Sequence, residues 1–243
     1  MAGGERRGGE RHGGIWSVPE RQGRGPRPAY SRDQITEAAI RIADADGLDA
    51  ASMRRIAADL GTGAMSLYRY VPSRDDLLDL MIDRALLAAD IPEHPSGDWR
   101  ADLTLIAENT RRMWLRHPWL AGLHRHRATF GPNRLRLLEF AFGALDVGIP
   151  VDDMFVLLDM LNGYVERVVR GEIEWTREMR QSGLTPERWM MESAPYVSGL
   201  LDTGRYPMLK RIVVDARFPH MTAEEQFRYG LDRVLDCIAG TLP

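Results

Sequence analysis

A chain of 243 residues with a formal net charge of −3 is long enough for one large or two small domains, and too nearly neutral to coat nucleic acid indiscriminately. Its single cysteine, Cys237, excludes an intramolecular disulfide and a thiolate metal cluster, which suits a reducing cytoplasm. No apolar run approaches membrane-spanning length and the Gly- and Arg-rich start lacks an apolar signal core, so a soluble, cytoplasmic protein without a membrane partner is expected.

Residues 1–29 combine Gly, Arg and Pro with little that is apolar beyond Ile15, Trp16 and Val18, a composition that predicts a disordered arm. Two alternatives stand for it: Arg24 and Arg27, set among prolines, follow a minor groove, or the leader is solvated and touches nothing. Ser31-x-x-Gln34 then predicts a capping box, opening a helix with Ile35, Ala39, Ile42 and Ala43 on one face and Gly47 at its end. Ser52 predicts the N-cap of a second helix, in which Met53, Ile56, Ala57 and Leu60 recur at i, i+3, i+4 and i+7.

Gly61 ends that helix, because a glycine just past the last turn takes positive φ without a Cβ clash. Thr62 and Gly63 extend the turn to the length that joins two steeply crossing helices. The next helix, from about Ala64 to Tyr70, needs only Leu67 and Val71 for its inward side. Ala64, Met65, Ser66, Tyr68, Arg69 and Tyr70 are left outside a core, and their chemistry suits a major groove: a guanidinium for guanine or phosphate, small groups for close approach, hydroxyls for phosphate oxygens. Within 52–74, Arg54, Arg55, Arg69 and Arg74 face only Asp59, so positive charge is concentrated on this stretch. The plainer alternative is a helical hairpin with a polar outer face.

After Pro72, Ser73 predicts the cap of a fourth helix running to about Ala89, with Asp75 and Asp76 in its first turn and Leu77, Leu78, Met81, Ile82 and Ala85 inward. Residues 92–97 read as a linker. Helices are predicted over 99–116 and 133–147, with a short segment at 119–127 between them. The longest periodic run, 152–180, carries Met154, Leu158, Leu161, Val165 and Val168 as one stripe, broad enough to be buried on two sides. Thr185-Pro186 opens a helix to about Leu201. Residues 202–221 are rich in turn formers, and Thr222-x-x-Glu225 opens a last helix with Phe227, Leu231, Val234, Leu235 and Ile238 on one face. With no strand pattern and no internal repeat, the fold class is all-α.

On Ala38-Ala39, Ala43 with Gly47-Leu48, Arg54-Arg55-Ile56-Ala57, Leu60-Gly61, Ser66-Leu67-Tyr68-Arg69-Tyr70-Val71 and Leu77-Leu78, the segment from Tyr30 to about Leu87 resembles the DNA-binding domain of the TetR-type (tetracycline repressor-like) transcription regulators. The run from Met65 to Val71 resembles the subfamily with a tetracycline-repressor-like C-terminal domain. The resemblance implies a disordered arm (1–29), a three-helix DNA-binding domain (30–91, helix-turn-helix about 52–71) and a connecting helix. A ligand-binding and dimerisation domain (97–243) completes the expected plan. It implies a homodimer on a palindromic double-stranded DNA operator, a repressor released by a small-molecule effector whose binding shifts the connecting helix. Arg54, Arg55, Ser66, Tyr68, Tyr70 and Arg74 would then anchor phosphates and Ala64, Met65 and Arg69 meet base edges, with Ser52 counted among the DNA-binding residues.

Two apolar stripes, Leu161, Val165 and Val168 on one helix and Phe227, Leu231 and Val234 on another, exceed what one small domain needs, and the resemblance makes them the dimer interface. It also makes Trp114, His117, His124, Phe130, Met154, Leu158, Asn162, Glu166, Trp175 and Trp189 the candidate lining of an effector cavity. A plainer alternative leaves the aromatics in the core and makes Glu166 one half of a solvated or dimer-face pair with Arg167. His124 matches a magnesium-associated histidine of the tetracycline-binding members, but Asp90 and Ile106 stand where they place a second histidine and a drug-holding asparagine. These two departures argue against tetracycline-magnesium as effector. No phosphate-binding, dinucleotide, zinc-protease or nucleophile-elbow motif is present, and His124-x-His126 spaces two rings poorly for a metal. No catalytic residue, metal or cofactor is therefore expected. The alternatives that remain are a regulator of this fold without an effector, and an enzyme or binding protein with an idle helix-turn-helix.

Overall fold

Side-chain caps start most of the long helices. Ser31, Ser52, Ser73, Thr185 and Thr222 each accept the N–H three residues on, from Gln34, Arg55, Asp76, Arg188 and Glu225. At Ser31 and Thr222 the third residue reciprocates, so two orphan amides are satisfied at once. The structure, a computed structural model, describes residues 14–18, 30–87, 90–123 and 130–243. Its helices are α1 (Arg32–Asp46), α2 (Met53–Asp59), α3 (Ala64–Leu67), α4 (Arg74–Leu86), α5 (Trp99–Arg116), α6 (Pro132–Ala144), α7 (Val151–Ser182), α8 (Pro186–Leu201), α9 (Pro207–Asp215) and α10 (Ala223–Ala239). No strand occurs among the described residues.

Three local expectations are corrected. The turn-rich stretch 202–221 contains a helix, α9, which Pro207 opens at a position where its missing N–H costs nothing. Helix α3 is shorter than the pattern implied. After Leu67 the chain tightens, the Tyr70 N–H bonding the Leu67 carbonyl at 2.9 Å, and Pro72 disfavours helical backbone at Val71. Within the arm, Gly14–Ser17 forms a 3-10 turn that packs on α4, with Ile15 only 1% exposed. The Arg32 guanidinium holds that turn by its Ile15 and Val18 carbonyls, at 3.3 and 2.8 Å. Arg24 and Arg27 lie outside the described residues.

Packing separates two compact units that interleave in sequence. The described residues up to Pro95 group with Arg112–Gly143, and Ser96–Arg111 groups with Ala144–Pro243. Side chains tie the segment that follows α5 to the N-terminal helices. The Asp44 carboxylate of α1 accepts from the Trp119 indole at 2.8 Å and lies 2.8 Å from His117 Nδ1. Met113, Trp119 and Leu120 complete the core formed by Ile35, Ala39, Ile56, Leu67, Leu77 and Met81.

The second unit is built on α7 against α10. Met154, Leu157, Leu158, Leu161, Val165 and Val169 are buried on α7, and Phe227, Leu231, Leu235 and Ile238 on α10. Each such side chain contributes about 1.5–3 kcal/mol when removed from water. The Tyr164 hydroxyl donates to the Phe227 carbonyl at 2.7 Å, and burial pushes its pKa up, so it remains a donor. Gly230 makes that approach possible, because a Cβ there would overlap the Tyr164 ring. Arg111 forks onto Glu172 at 3.1 and 2.9 Å and lies over the Phe227 ring.

Candidate nucleic-acid interface

The reading surface rests on a small apolar base. Ile56 and Ala57 of α2, Leu67 of α3 and Val71 beyond it are almost wholly buried, and α2 packs directly on α3. Gly61, at φ +69°, reverses the chain between them, and the Thr62 N–H closes onto the Ala57 carbonyl at 2.8 Å. The frame is then tied at its edges. Tyr30 donates to the Leu60 carbonyl at 3.3 Å and Arg32 to the Tyr70 carbonyl at 3.1 Å, while Arg41 pairs with Asp59 at 2.6 Å. Nothing in the spacing of the sequence singles out Tyr30 or Arg32 for this bracing.

With Leu67 inward, its neighbours must point out. Met65 is 78% exposed and Tyr68 43%, and Arg54 and Arg69 are exposed, while Ala64, Ser66 and Tyr70 are half-buried. A thioether, a phenol and a guanidinium held outward from a rigid turn can enter a groove without reorganising the core. Ser52 spends its hydroxyl on the Arg55 N–H, and the Arg55 guanidinium pairs with Asp46 at 3.2 Å on the surface. Arg74 is placed differently from the expectation. Its guanidinium donates to the carbonyls of Ala51 and Leu48, at 2.7 Å for the latter, so it ties the start of α4 to the loop before α2 instead of reaching toward a phosphate.

The expected effector residues are divided between the two units. Trp114, His117 and Phe130 belong to the first unit, where His117 is buried beside Asp44 and Phe130 is 63% exposed. Met154 and Leu158 are buried in the second unit, whereas Asn162 and Glu166 on the same helix face solvent, Glu166 pairing with Arg170 at 2.7 Å. Trp175 and Trp189, each partly exposed, meet edge to face with centroids 5.4 Å apart. His124 lies outside the described residues.

The dimer stripes are corrected as well. Leu161, Val165, Phe227 and Leu231 are consumed in the α7–α10 packing of a single chain, and Val168 and Val234 are half-covered beside them. The apolar groups left exposed are others: Phe155, Val156 and Met160 on α7, Met191 and Tyr196 on α8, and Met208, Ile212, Val213 and Val214 on α9. Among the described residues no group of three or more potential metal ligands occurs, and no helix is long and apolar enough to cross a membrane.

Comparison with known proteins identifies the fold. Residues 35–81 match the model of the bacterial regulatory proteins of the tetR family, and residues 91–242 match the tetracyclin repressor-like C-terminal domain. The chain is similar to the HTH-type transcriptional repressor DrrR1 of Streptomyces coeruleorubidus, with 37% identity covering 91% of this chain and 82% of the relative. It is similar to an HTH-type transcriptional regulator of Saccharopolyspora erythraea, with 35% identity over 68% and 70% of the two chains. Among solved structures it resembles ActR of Streptomyces coelicolor in complex with actinorhodin. The TM-score is 0.71 and the identity 29%, covering 89% of this chain and 99% of ActR.

Proposed function

Because the chain belongs to the tetR family of bacterial regulatory proteins, we propose that it is a repressor that binds a palindromic operator as a homodimer and leaves it when a small molecule binds. One observation carries the DNA-binding part: Met65, Tyr68 and Arg69 are exposed beside a wholly buried Leu67, on a turn braced by Tyr30 and Arg32. Met65, Arg69 and Ala64 meet base edges; Arg54, Ser66, Tyr68 and Tyr70 meet phosphates. Arg55 reaches phosphate by exchanging its surface partner Asp46, an ion pair worth little in water.

Dimerisation uses apolar residues that stay exposed in the second unit, Phe155 and Met160 of α7 together with those of α8 and α9. Exposed apolar area of this extent on a soluble chain marks an association surface. A symmetric pair presents two reading turns to two half-sites, and an effector that changes their separation lowers affinity because both can no longer engage at once. The effector part is supported by the likeness to ActR, whose structure holds actinorhodin. The experiment is to select duplexes from a random pool with the full chain, then screen small molecules, actinorhodin first, for release. Recovery of a palindrome whose binding weakens steeply with salt is expected, and recovery of no preferred sequence would reject the proposal.

A further inference from the structure

We propose that Arg32 is a positioning residue: through its guanidinium the Gly14–Ser17 turn of the leader fixes the end of the reading turn, and so helps set affinity for DNA. The proposal rests on the operator-binding reading above. It begins where the backbone after α3 stops being helical. Pro72 has no N–H to offer the carbonyls of the preceding turn. The Tyr70 carbonyl is taken instead by Arg32 Nε, at 3.1 Å, from the first residue of α1. This bond matters because α3 has only four residues, too few to hold a helical turn by its own hydrogen bonds. Leu67 and Val71 anchor the turn from inside, and Arg32 holds its far end.

The same guanidinium also bonds the leader. Its Nη1 donates to the Val18 carbonyl at 2.8 Å and to the Ile15 carbonyl at 3.3 Å. A guanidinium is planar, so the direction of Nη1 fixes that of Nε, and two bonds to the leader aim the third at Tyr70. The leader in turn is held by its own side chains. Ile15 is 1% exposed in the core that also takes Leu67 and Val71, and Trp16 and Tyr70 pack against that core. Trp16 is seated beside Gly131, where a Cβ would come within 2.8 Å of its ring. The Ser17 hydroxyl closes the turn on the Gly14 carbonyl at 2.9 Å. All of these groups lie in the first compact unit, as does the reading turn. Without the leader's two acceptors the Arg32 side chain regains rotamer freedom, which the bond to Tyr70 must then overcome by itself. Tyr68 and Arg69, just before Tyr70, sample more directions, and ordering them on DNA lowers affinity although no phosphate contact is lost.

The test uses full-length variants and the duplex that the wild type selects. Ile15→Asp, whose carboxylate cannot stay in the core and so expels the turn, should weaken binding about tenfold. Arg32→Ala should weaken it by a similar factor, and so should Arg32→Lys, which keeps the charge and loses the fork. Combining Ile15→Asp with Arg32→Ala should cost no more than either alone, because both break one chain of contacts; a loss of about 100-fold would make them independent and overturn the proposal. The slope of log affinity against log salt should not change in any variant, and a slope smaller by about 0.9 per subunit would make Arg32 a phosphate contact and overturn it as well. Wild-type affinity in Arg32→Lys also overturns it. Amide hydrogen exchange in the free protein needs no DNA: segment 64–71 should exchange at least about threefold faster in Ile15→Asp, with α7 unchanged. Unchanged exchange over 64–71 overturns the proposal. Should Ile15→Asp not fold, Trp16→Ala takes its place in every comparison. A wild type that selects no duplex rejects the operator-binding reading, a separate failure, and the exchange measurement then decides whether the leader holds the turn.

Discussion

Arg69 and Arg74 share a charge and a short stretch of chain, and their surroundings give them different work. Arg69 is exposed next to buried Leu67 and is free to reach a base edge. Arg69→Ala should relax preference at one position of each half-site by about 1–3 kcal/mol, measured as affinities for duplexes varied one base at a time. An equal loss on every sequence would make it a phosphate contact. Arg74 spends its donors on two backbone carbonyls. Arg74→Ala leaves those acceptors without their partner, and should lower unfolding stability by about 1–3 kcal/mol while the slope of log affinity against log salt stays as it was. A slope smaller by about 0.9 per subunit would return Arg74 to the phosphates. The sequence displays both arginines in one basic run, and only the packing separates them.

At the scale of elements, the capped starts were the most legible features. Ser31, Ser52, Ser73, Thr185 and Thr222 announce their helices because an N-cap is a local device, decided within four residues. Glu225 shows what such a device does with pH. Hydrogen bonds from the Thr222 backbone and hydroxyl hold its pKa below the usual carboxylate value. Its stabilising contribution is therefore complete above the unfolded-state value and is lost as pH falls through the lower folded one. Thermal unfolding should separate wild type from Glu225→Gln at neutral pH and bring them together below the ordinary carboxylate range; a gap that persists there would show that the capping bond does not depend on ionisation. Less legible were the elements settled by distant partners. Helix α9 hides behind Gly204, Pro207 and Pro219, although Met208, Leu209, Ile212 and Val213 carry a helical pattern. The Gly14–Ser17 turn is ordered by α4 and Arg32, which no reading of a Gly- and Arg-rich leader anticipates.

For the whole molecule, periodicity finds an apolar stripe but not what covers it. The Leu161 and Leu231 stripes read in the sequence as a subunit interface, and the packing of α7 against α10 buries them inside one subunit. Leu161→Glu should therefore unfold the second unit instead of releasing folded monomers. The paired substitution Phe155→Glu and Val213→Glu, on exposed positions, should leave the helix content intact and give monomers in sedimentation velocity. Those monomers should bind the operator at least about 100-fold more weakly, because the gain from engaging two half-sites at once is gone. Retained dimers would move the association surface elsewhere.

Footprinting of the full chain on the duplex it selects from a random pool bears most directly on the central claim, that a turn bearing Met65, Tyr68 and Arg69 is presented in duplicate to DNA. Two protected half-sites are predicted, their centres about 34–36 Å or a multiple of that apart, with protection lost from both at raised salt. Protection of a single site, or uniform protection with no regard to sequence, would contradict it.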